Sequence, residues 1–275
     1  MNNFPESCPI CKGQAFKSIS KNLLLCKKCK TILNTSWEPL SYSKDYFIEE
    51  YASQYGKTYI EDFENIYALS YSRLDKIFKH ISFEPELSIL DIGSAAGFFL
   101  KAAQDRGIKN LTGIEISDFA SSWCRDNFNI EVLTTPFDNA HLKKKYNIIT
   151  AWFFLEHTPD PLSCLNKIHL HMEDSGILAL AIPSWFGPLF YFQKNHWIKT
   201  RPKDHKIDLS PGSVKKMLNY TGFETLSIYK CGYHPERVIK KENLFYNFFE
   251  PFYRAFTSIT SFSDTIEVYA RKKTK

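Results

Sequence analysis

The sequence predicts an α/β fold on a parallel sheet, preceded by a small module stapled by a metal. Three observations predict it. Apolar runs of strand length alternate with amphipathic segments of helix length from residue 88 to residue 182, the order that builds a parallel sheet with helices on both faces. The first run ends in a small-residue turn, Asp91-Ile92-Gly93-Ser94-Ala95-Ala96-Gly97-Phe98, that opens into a helix. Ahead of these lie two Cys-x-x-Cys pairs, Cys8 with Cys11 and Cys26 with Cys29.

Composition bounds the reading. The 275 residues leave room for one catalytic domain and a small module. With 44% hydrophobic and 16% aromatic residues the chain can bury a core, which excludes a disordered polypeptide. The net charge of +5 is scattered over Lys27-Lys28-Lys30, Lys143-Lys144-Lys145 and Arg271-Lys272-Lys273-Lys275. Short lysine runs read as solvated loops and tails, so nucleic acid is the lesser expectation as a partner. Residues 1–10 are polar and no long uncharged apolar run follows, so neither a signal peptide nor a membrane span is expected. Of seven cysteines, four form the two pairs while Cys124, Cys164 and Cys231 stand alone, the usage of a reducing cytoplasm.

Taken in order, residues 1–36 read as a zinc ribbon. Two residues between ligands let a tight turn offer both sulfurs to one ion, and the 14 residues between the pairs suffice for a hairpin. So short a module cannot hold itself by burial alone, and four thiolates leave no open ligand position, so Zn²⁺ here is expected to be structural. Residues 37–80 form a linker and a helical segment, with Ile66, Leu69, Leu74, Ile77 and Phe78 at helical spacing within 59–81. Residues 81–275 form the main domain. Strands are expected over 88–92, 110–115, 131–133, 147–152 and 177–182, and helices over 98–106, 119–127 and 161–171. A helix over 211–221 then leads through Gly222 to a strand over 225–231, and a last strand covers 265–270.

The turn is a ligand site by its chemistry. Small residues let a ligand lie against the main chain at a helix N-terminus. Glu115 follows Asp91 by 24 positions, where a ribose-binding carboxylate falls at the end of the second strand. The spacing Gly93-x-Ala95-x-Gly97 departs from the dinucleotide pattern. Asp91 just before the first glycine disfavours a pyrophosphate and favours a cationic methionine ammonium.

At these residues the chain resembles the class I S-adenosylmethionine-dependent methyltransferases, in particular the branch found with sugar and natural-product methylation. The resemblance runs over about residues 40–275. It rests on Asp45-Tyr46-Phe47-Ile48-Glu49-Glu50-Tyr51, the Asp91–Gly97 turn, Gly113-Ile114-Glu115-Ile116-Ser117 and Leu155-Glu156-His157-Thr158-Pro159-Asp160-Pro161. It continues through Ile182-Pro183-Ser184, Trp197 with Pro202 and His205, and Gly222-Phe223-Glu224. Ala95 stands where most members have glycine. The resemblance implies a Rossmann-like sheet whose last strand inserts antiparallel. It implies S-adenosylmethionine contacts from Tyr51, Asp91, Gly93, Gly97, Glu115, Ile116 and Asp138, with Tyr46 or Tyr55 as alternatives to Tyr51 for closing on the methionine end. A zinc ribbon ahead of such a domain also resembles part of certain ribosomal-RNA methyltransferases.

For the chemistry, His157 and His205 are the candidate bases, since an imidazole titrates near neutral pH. Relatives that methylate phenolic quinone precursors bind a divalent metal with Glu-x-x-Glu-His, and here Phe153 occupies the first of those positions. The insertion 184–208 combines Trp185, Phe186, Phe190, Tyr191, Phe192 and Trp197 with Lys199, Arg201, Lys203 and His205. Aromatic faces and adjacent cations fit a small anionic acceptor such as a nucleotide-linked sugar or glycan precursor; an ordinary hydrophobic lid is the alternative. The aromatics of 243–262 are expected to form a second wall of the acceptor pocket or a homodimer contact. Two further readings stay open: an RNA methyltransferase that binds through its ribbon, and a cofactor-binding scaffold without turnover.

Overall fold

The computed structural model describes residues 5–39, 45–231 and 235–274. The chain forms two compact units. A ribbon unit holds the chain up to residue 39 together with 155–165 and 181–268, and a sheet unit holds the remainder.

The ribbon begins with strands β1 (Phe16–Ser20) and β2 (Leu23–Cys26), an antiparallel hairpin, and β3 (Ile32–Asn34) pairs with β2 in turn. Leu23, Leu24, Ile32 and Leu33 are buried, although three short strands have little core of their own.

In the sheet unit, helices α1 (Tyr51–Tyr55) and α2 (Phe63–Ile77) precede the sheet. The buried face of α2 is Ser70, Arg73, Leu74 and Ile77, whereas Leu69, expected on the core side, is 41% exposed. A cation thus sits on the stripe where periodicity alone places an aliphatic residue. There follow β4 (Ser88–Ile92), α3 (Phe98–Asp105), β5 (Asn110–Glu115), α4 (Asp118–Phe128), β6 (Glu131–Thr134) and β7 (Tyr146–Trp152). Next come α5 (Pro161–Leu170) and β8 (Met172–Pro183). Strand β8 begins before the expected residue 177 because Glu173, Asp174 and Ser175 carry no apolar signal, yet they continue the extended backbone.

The expected insertion resolves into α6 (Pro188–Phe192), α7 (Lys194–Thr200) and β9 (Ile207–Asp208), followed by α8 (Pro211–Tyr220) and β10 (Phe223–Cys231). The chain then forms α9 (Tyr246–Thr260) and β11 (Thr265–Lys272). The strand order is β10-β11-β8-β7-β4-β5-β6, in which β8 and β11 belong partly to each unit. The sheet is mostly parallel with one antiparallel pair, and β11 is inserted between β10 and β8, the Rossmann-like arrangement expected.

One pairing had no counterpart in the sequence reading. Strand β9 adds to the ribbon sheet beside β3, with Ile32 opposite Asp208 and Leu33 opposite Ile207. Trp185 and Trp197 bury against Leu23 and Ile32, and Trp185 Nε1 donates to the Lys30 carbonyl at 3.0 Å. The two indoles are therefore core of the ribbon unit, contrary to the open aromatic faces expected for a ligand. Each such burial contributes about 1.5–3 kcal/mol, which a ribbon this small cannot find within itself.

Candidate active site

The turn after β4 is fixed by backbone conformation. Gly93, Ala95 and Gly97 all have positive φ, at 70°, 47° and 77°. A Cβ on Gly97 would lie 2.1 Å from Cys124 Sγ on α4, so only glycine fits. Ala95 tolerates the left-handed region at modest cost. A Cβ on Gly113 would lie 2.6 Å from Ser94 Oγ, so β5 also approaches the turn closely.

Glu115, at the end of β5, is buried and closes the turn. Its Oε2 accepts from the Ala95 amide at 2.9 Å and its Oε1 from the Ser117 amide at 2.8 Å. Each oxygen keeps a second lone pair, so the bidentate acceptance of two hydroxyls remains open to it. Burial raises its pKa against those amide bonds. Asp91 is also buried, and its Oδ1 accepts from Thr150 Oγ1 at 2.6 Å. Burial pushes its pKa up to about 7, opposed by the Thr150 bond and the nearby Arg73 charge. Arg73 lies 4.2 Å over the Trp152 ring. Sequence reading missed this residue, although the signal was there: an arginine on the core stripe of an amphipathic helix demands a buried anion or a ring face.

Around the turn stands an aromatic cluster. Tyr59 stacks on Phe98 at 5.2 Å, Tyr51 meets Tyr59 edge-on at 5.1 Å, and the Tyr51 hydroxyl donates to Asp62 Oδ2 at 2.7 Å. Tyr51 is thus within two rings of the turn's Phe98. The side chains of Tyr46 and Tyr55 lie outside the described residues. Ile116 is half exposed just past Glu115. Asp138 is exposed in a short turn of helix, Phe137–Asn139, whose Phe137 and Asp138 carbonyls are held by Lys167 Nζ. Ser94 Oγ and Trp152 Nε1 are buried polar atoms with no partner, in the same unit as the cradle. A polar ligand seated on the glycines fits that vacancy of hydrogen bonds.

In the ribbon unit a second constellation forms. Glu156 is buried and neither carboxylate oxygen has a hydrogen-bond partner. The rings of His157 and His205 meet edge-on at 4.8 Å beside it. His157 Nδ1 is 2.8 Å from Asp204 Oδ2, and His205 Nδ1 is 3.6 Å from Asp208 Oδ1. Burial would lower the His157 pKa, but Asp204 and Glu156 outweigh it and leave it raised. Burial raises Glu156, while the two histidines pull it down. Asn34, on β3, donates to the carbonyls of Lys203 and His205 at 2.9 and 3.0 Å, and Trp37 Nε1 donates to that of Asp204 at 2.8 Å. The loop that carries His205 is therefore held by the ribbon. Arg201, expected to receive an acceptor anion, is instead bound to Asp208 at 2.6 Å in the interior. Lys199 and Lys203 remain exposed. Phe153 offers no ligand atom at the first position of the Glu-x-x-Glu-His pattern.

The four ribbon cysteines are buried together, with Cys8 Sγ 3.6 Å from Cys29 Sγ and Cys11 Sγ 3.5 Å from Cys26 Sγ. A tetrahedral zinc with Zn–S bonds of about 2.3 Å has S–S edges of roughly 3.8 Å, so the donor set fits that ion.

Glycine-cradled turn, acidic β5 end and inserted last strand together define a class I S-adenosylmethionine-dependent methyltransferase. Residues 64–228, more than half of the chain, match the methyltransferase-domain family, and the chain belongs to it. It is 23% identical over 192 residues to the ubiquinone biosynthesis O-methyltransferase of Histophilus somni (strain 2336), covering 63% of this chain and 79% of that protein. It is 26% identical over 127 residues to the protein of the same name from Actinobacillus pleuropneumoniae serotype 7 (strain AP76), covering 42% and 54% respectively. Among solved structures it resembles an S-adenosylmethionine-dependent methyltransferase from Archaeoglobus fulgidus, with TM-score 0.55, 18% identity and coverage of 81% and 98%. It also resembles the plantazolicin methyltransferase BpumL in complex with S-adenosylhomocysteine and a pentazolic desmethylPZN analog, with TM-score 0.54, 14% identity and coverage of 82% and 89%.

Proposed function

We propose that this enzyme methylates a weakly acidic nucleophile on a small anionic acceptor, of the kind found in nucleotide-linked sugars and in glycan or natural-product precursors. His157 or His205 takes the nucleophile's proton. The observation that carries the reading is Glu156, a buried carboxylate without hydrogen bonds beside two imidazoles. Its charge stabilises an imidazolium once the proton arrives, as a general base requires. Exposed Lys199 and Lys203 support an anionic acceptor; Arg201, held by Asp208, does not.

In this reading S-adenosylmethionine, when bound, supplies an electrophilic methyl group whose sulfur departs as a neutral thioether. Asp91 meets its ammonium, Glu115 its ribose hydroxyls, and the backbone at Gly93 and Gly97 its methionine and ribose. Tyr51 closes over the methionine end, Ile116 packs on the adenine and Asp138 accepts from the adenine amine. Zinc on Cys8, Cys11, Cys26 and Cys29 is structural. Its ribbon keeps the 203–208 loop, and so His205, in place.

The test is methyl transfer from labelled S-adenosylmethionine to separate pools of sugar nucleotides, phenolic quinone precursors and RNA. Label in the sugar-nucleotide pool that His157→Asn or His205→Asn reduces at least ~100-fold, with donor affinity kept, supports the reading. Label confined to RNA or to the phenols overturns the acceptor. Activity lost to a chelator and restored by Mg²⁺ alone, with the zinc still bound, replaces the base by a metal.

A further inference from the structure

Helix α9 leaves an apolar face uncovered among the described residues. Phe245, at its N-cap, and Phe248, Phe252, Phe256 and Ile259 are between 48% and 85% exposed, and Leu244 just before them is 96% exposed. At about 100° per residue these five helix positions fall within roughly 40° of Phe252 on either side. Their spacings run three, four, four and three, so the stripe reads the same in both chain directions, with Phe252 at its centre. Tyr253 and Thr257 face the core, and the Glu250–Arg254 ion pair lies on the side away from the stripe. No charged side chain interrupts the stripe.

We propose that this face is the interface of a homodimer, in which α9 packs antiparallel against α9 of a second copy about a twofold axis through Phe252. An isologous interface must be self-complementary, each patch meeting itself reversed. The palindromic spacing meets that condition: Phe248 opposes Phe256 of the second copy, Phe245 opposes Ile259, and Phe252 opposes Phe252. Area points the same way. At about 200 Å² for each large apolar side chain, the six exposed residues offer roughly 900 Å², more than soluble monomers ordinarily leave open and close to one partner's share of a stable interface. Charge separates this occupant from a lipid surface. Interfacial helices carry a strongly basic polar face, whereas the one cation within α9, Arg254, is already paired with Glu250. The proposal is independent of the acceptor and of the catalytic base.

Sedimentation equilibrium of the full chain across the micromolar range tests it. The expected mass is twice the 32.0 kDa of one chain. Phe252→Asp, which keeps the fold because the position is exposed, is expected to weaken the dimer at least ~100-fold while leaving affinity for S-adenosylmethionine and the far-ultraviolet circular dichroism spectrum unchanged. Phe252→Cys places a thiol on the axis. With oxidised glutathione as electron acceptor, two such thiols join as a disulfide between copies, their protons and electrons passing to two glutathione molecules. Arg254→Cys, on the back of the helix, is expected to give no such crosslink. A monomer throughout the range overturns the proposal, as does a dimer indifferent to Phe252→Asp. A monomeric chain that instead floats with phosphatidylcholine–phosphatidylglycerol vesicles replaces the second copy by a lipid surface.

Discussion

The β4–α3 turn and the 184–208 segment both stood out in the sequence, one for its small residues and one for its aromatics, and they differ in what such a signal fixes. In the turn the constraint is local. Positive φ at Gly93 and Gly97, and the 2.1 Å gap that a Cβ on Gly97 would leave to Cys124 Sγ, follow from a few adjacent residues and one packed helix. In the 184–208 segment the aromatics signal burial without naming a partner. Trp185 and Trp197 bury against Leu23 and Ile32, residues near the other end of the chain. Small residues specify a conformation; large ones specify only that something must cover them.

The strongest way to break this contrast is to take out the zinc proposed for Cys8, Cys11, Cys26 and Cys29. If the ribbon holds the His205 loop, zinc removal or Cys26→Ser releases β3, then β9, then the loop. Structural zinc in so small a module is worth about 10–16 kcal/mol, so the ribbon is expected to unfold. Methyl transfer should then fall at least ~100-fold, with donor affinity within a factor of ~3 because the turn lies in the sheet unit. Zinc content, turnover and calorimetric donor binding on the same sample decide the matter. Turnover that survives zinc loss would show the ribbon to be dispensable for positioning His205.

The turn invites the converse experiment. Gly97→Ala is expected to destabilise the sheet unit by about 2–4 kcal/mol and to weaken donor binding with it. Gly56→Ala is the control: its φ is also +77°, but nothing lies within 4 Å of an added Cβ, so only about 1 kcal/mol should be lost. Denaturant melts of the pair separate close approach from conformation. Equal losses would mean that φ alone makes Gly97 necessary. Another probe of the other region is Trp185→Phe, which shrinks the buried indole to a phenyl ring and loses the bond to the Lys30 carbonyl. About 1–3 kcal/mol is expected from the lost bond and the space left behind, seen as faster zinc loss to a chelator with donor affinity unchanged.

How much was legible follows the same division. Strands β4 and β5 begin and end at the expected residues, β4 because Ile89, Leu90 and Ile92 mark it and the glycine turn stops it, β5 because Leu111 and Ile114 lead to the acidic Glu115 at its end. The β3–β9 pairing was not legible, since its register joins two short segments far apart in sequence. Nor was the engagement of Arg201 by Asp208: a cation followed seven residues later by an acid can serve a ligand or an internal pair, and only the return of the chain into β9 decides. Arg73 lay between these cases. Its place on the stripe announced burial, but that its partners are Asp91 and the Trp152 ring required the fold.

A tenfold effect, about 1.4 kcal/mol, is expected at that buried pair. The Asp91 carboxyl, up at about 7 in the folded chain, stays protonated there at pH values where it ionises in the unfolded chain. The sign follows: between about pH 4 and 7 the folded state binds the extra proton, so this group's contribution to stability declines as pH rises through that window and is level above it. If Asp91 meets the donor's ammonium as proposed, that cation favours the ionised form, and donor binding below pH 7 releases a proton. Affinity is then expected to climb from pH 6 to pH 8 by about tenfold, most of it below pH 7. Calorimetry in two buffers of different ionisation enthalpy measures the released proton directly. Asp91→Asn should bind more weakly and flatten the profile. Arg73→Met should move the break upward, because Arg73 is the charge that helps Asp91 ionise. A wild-type affinity that does not vary with pH would remove Asp91 from the ammonium site and leave it a structural acid bonded to Thr150.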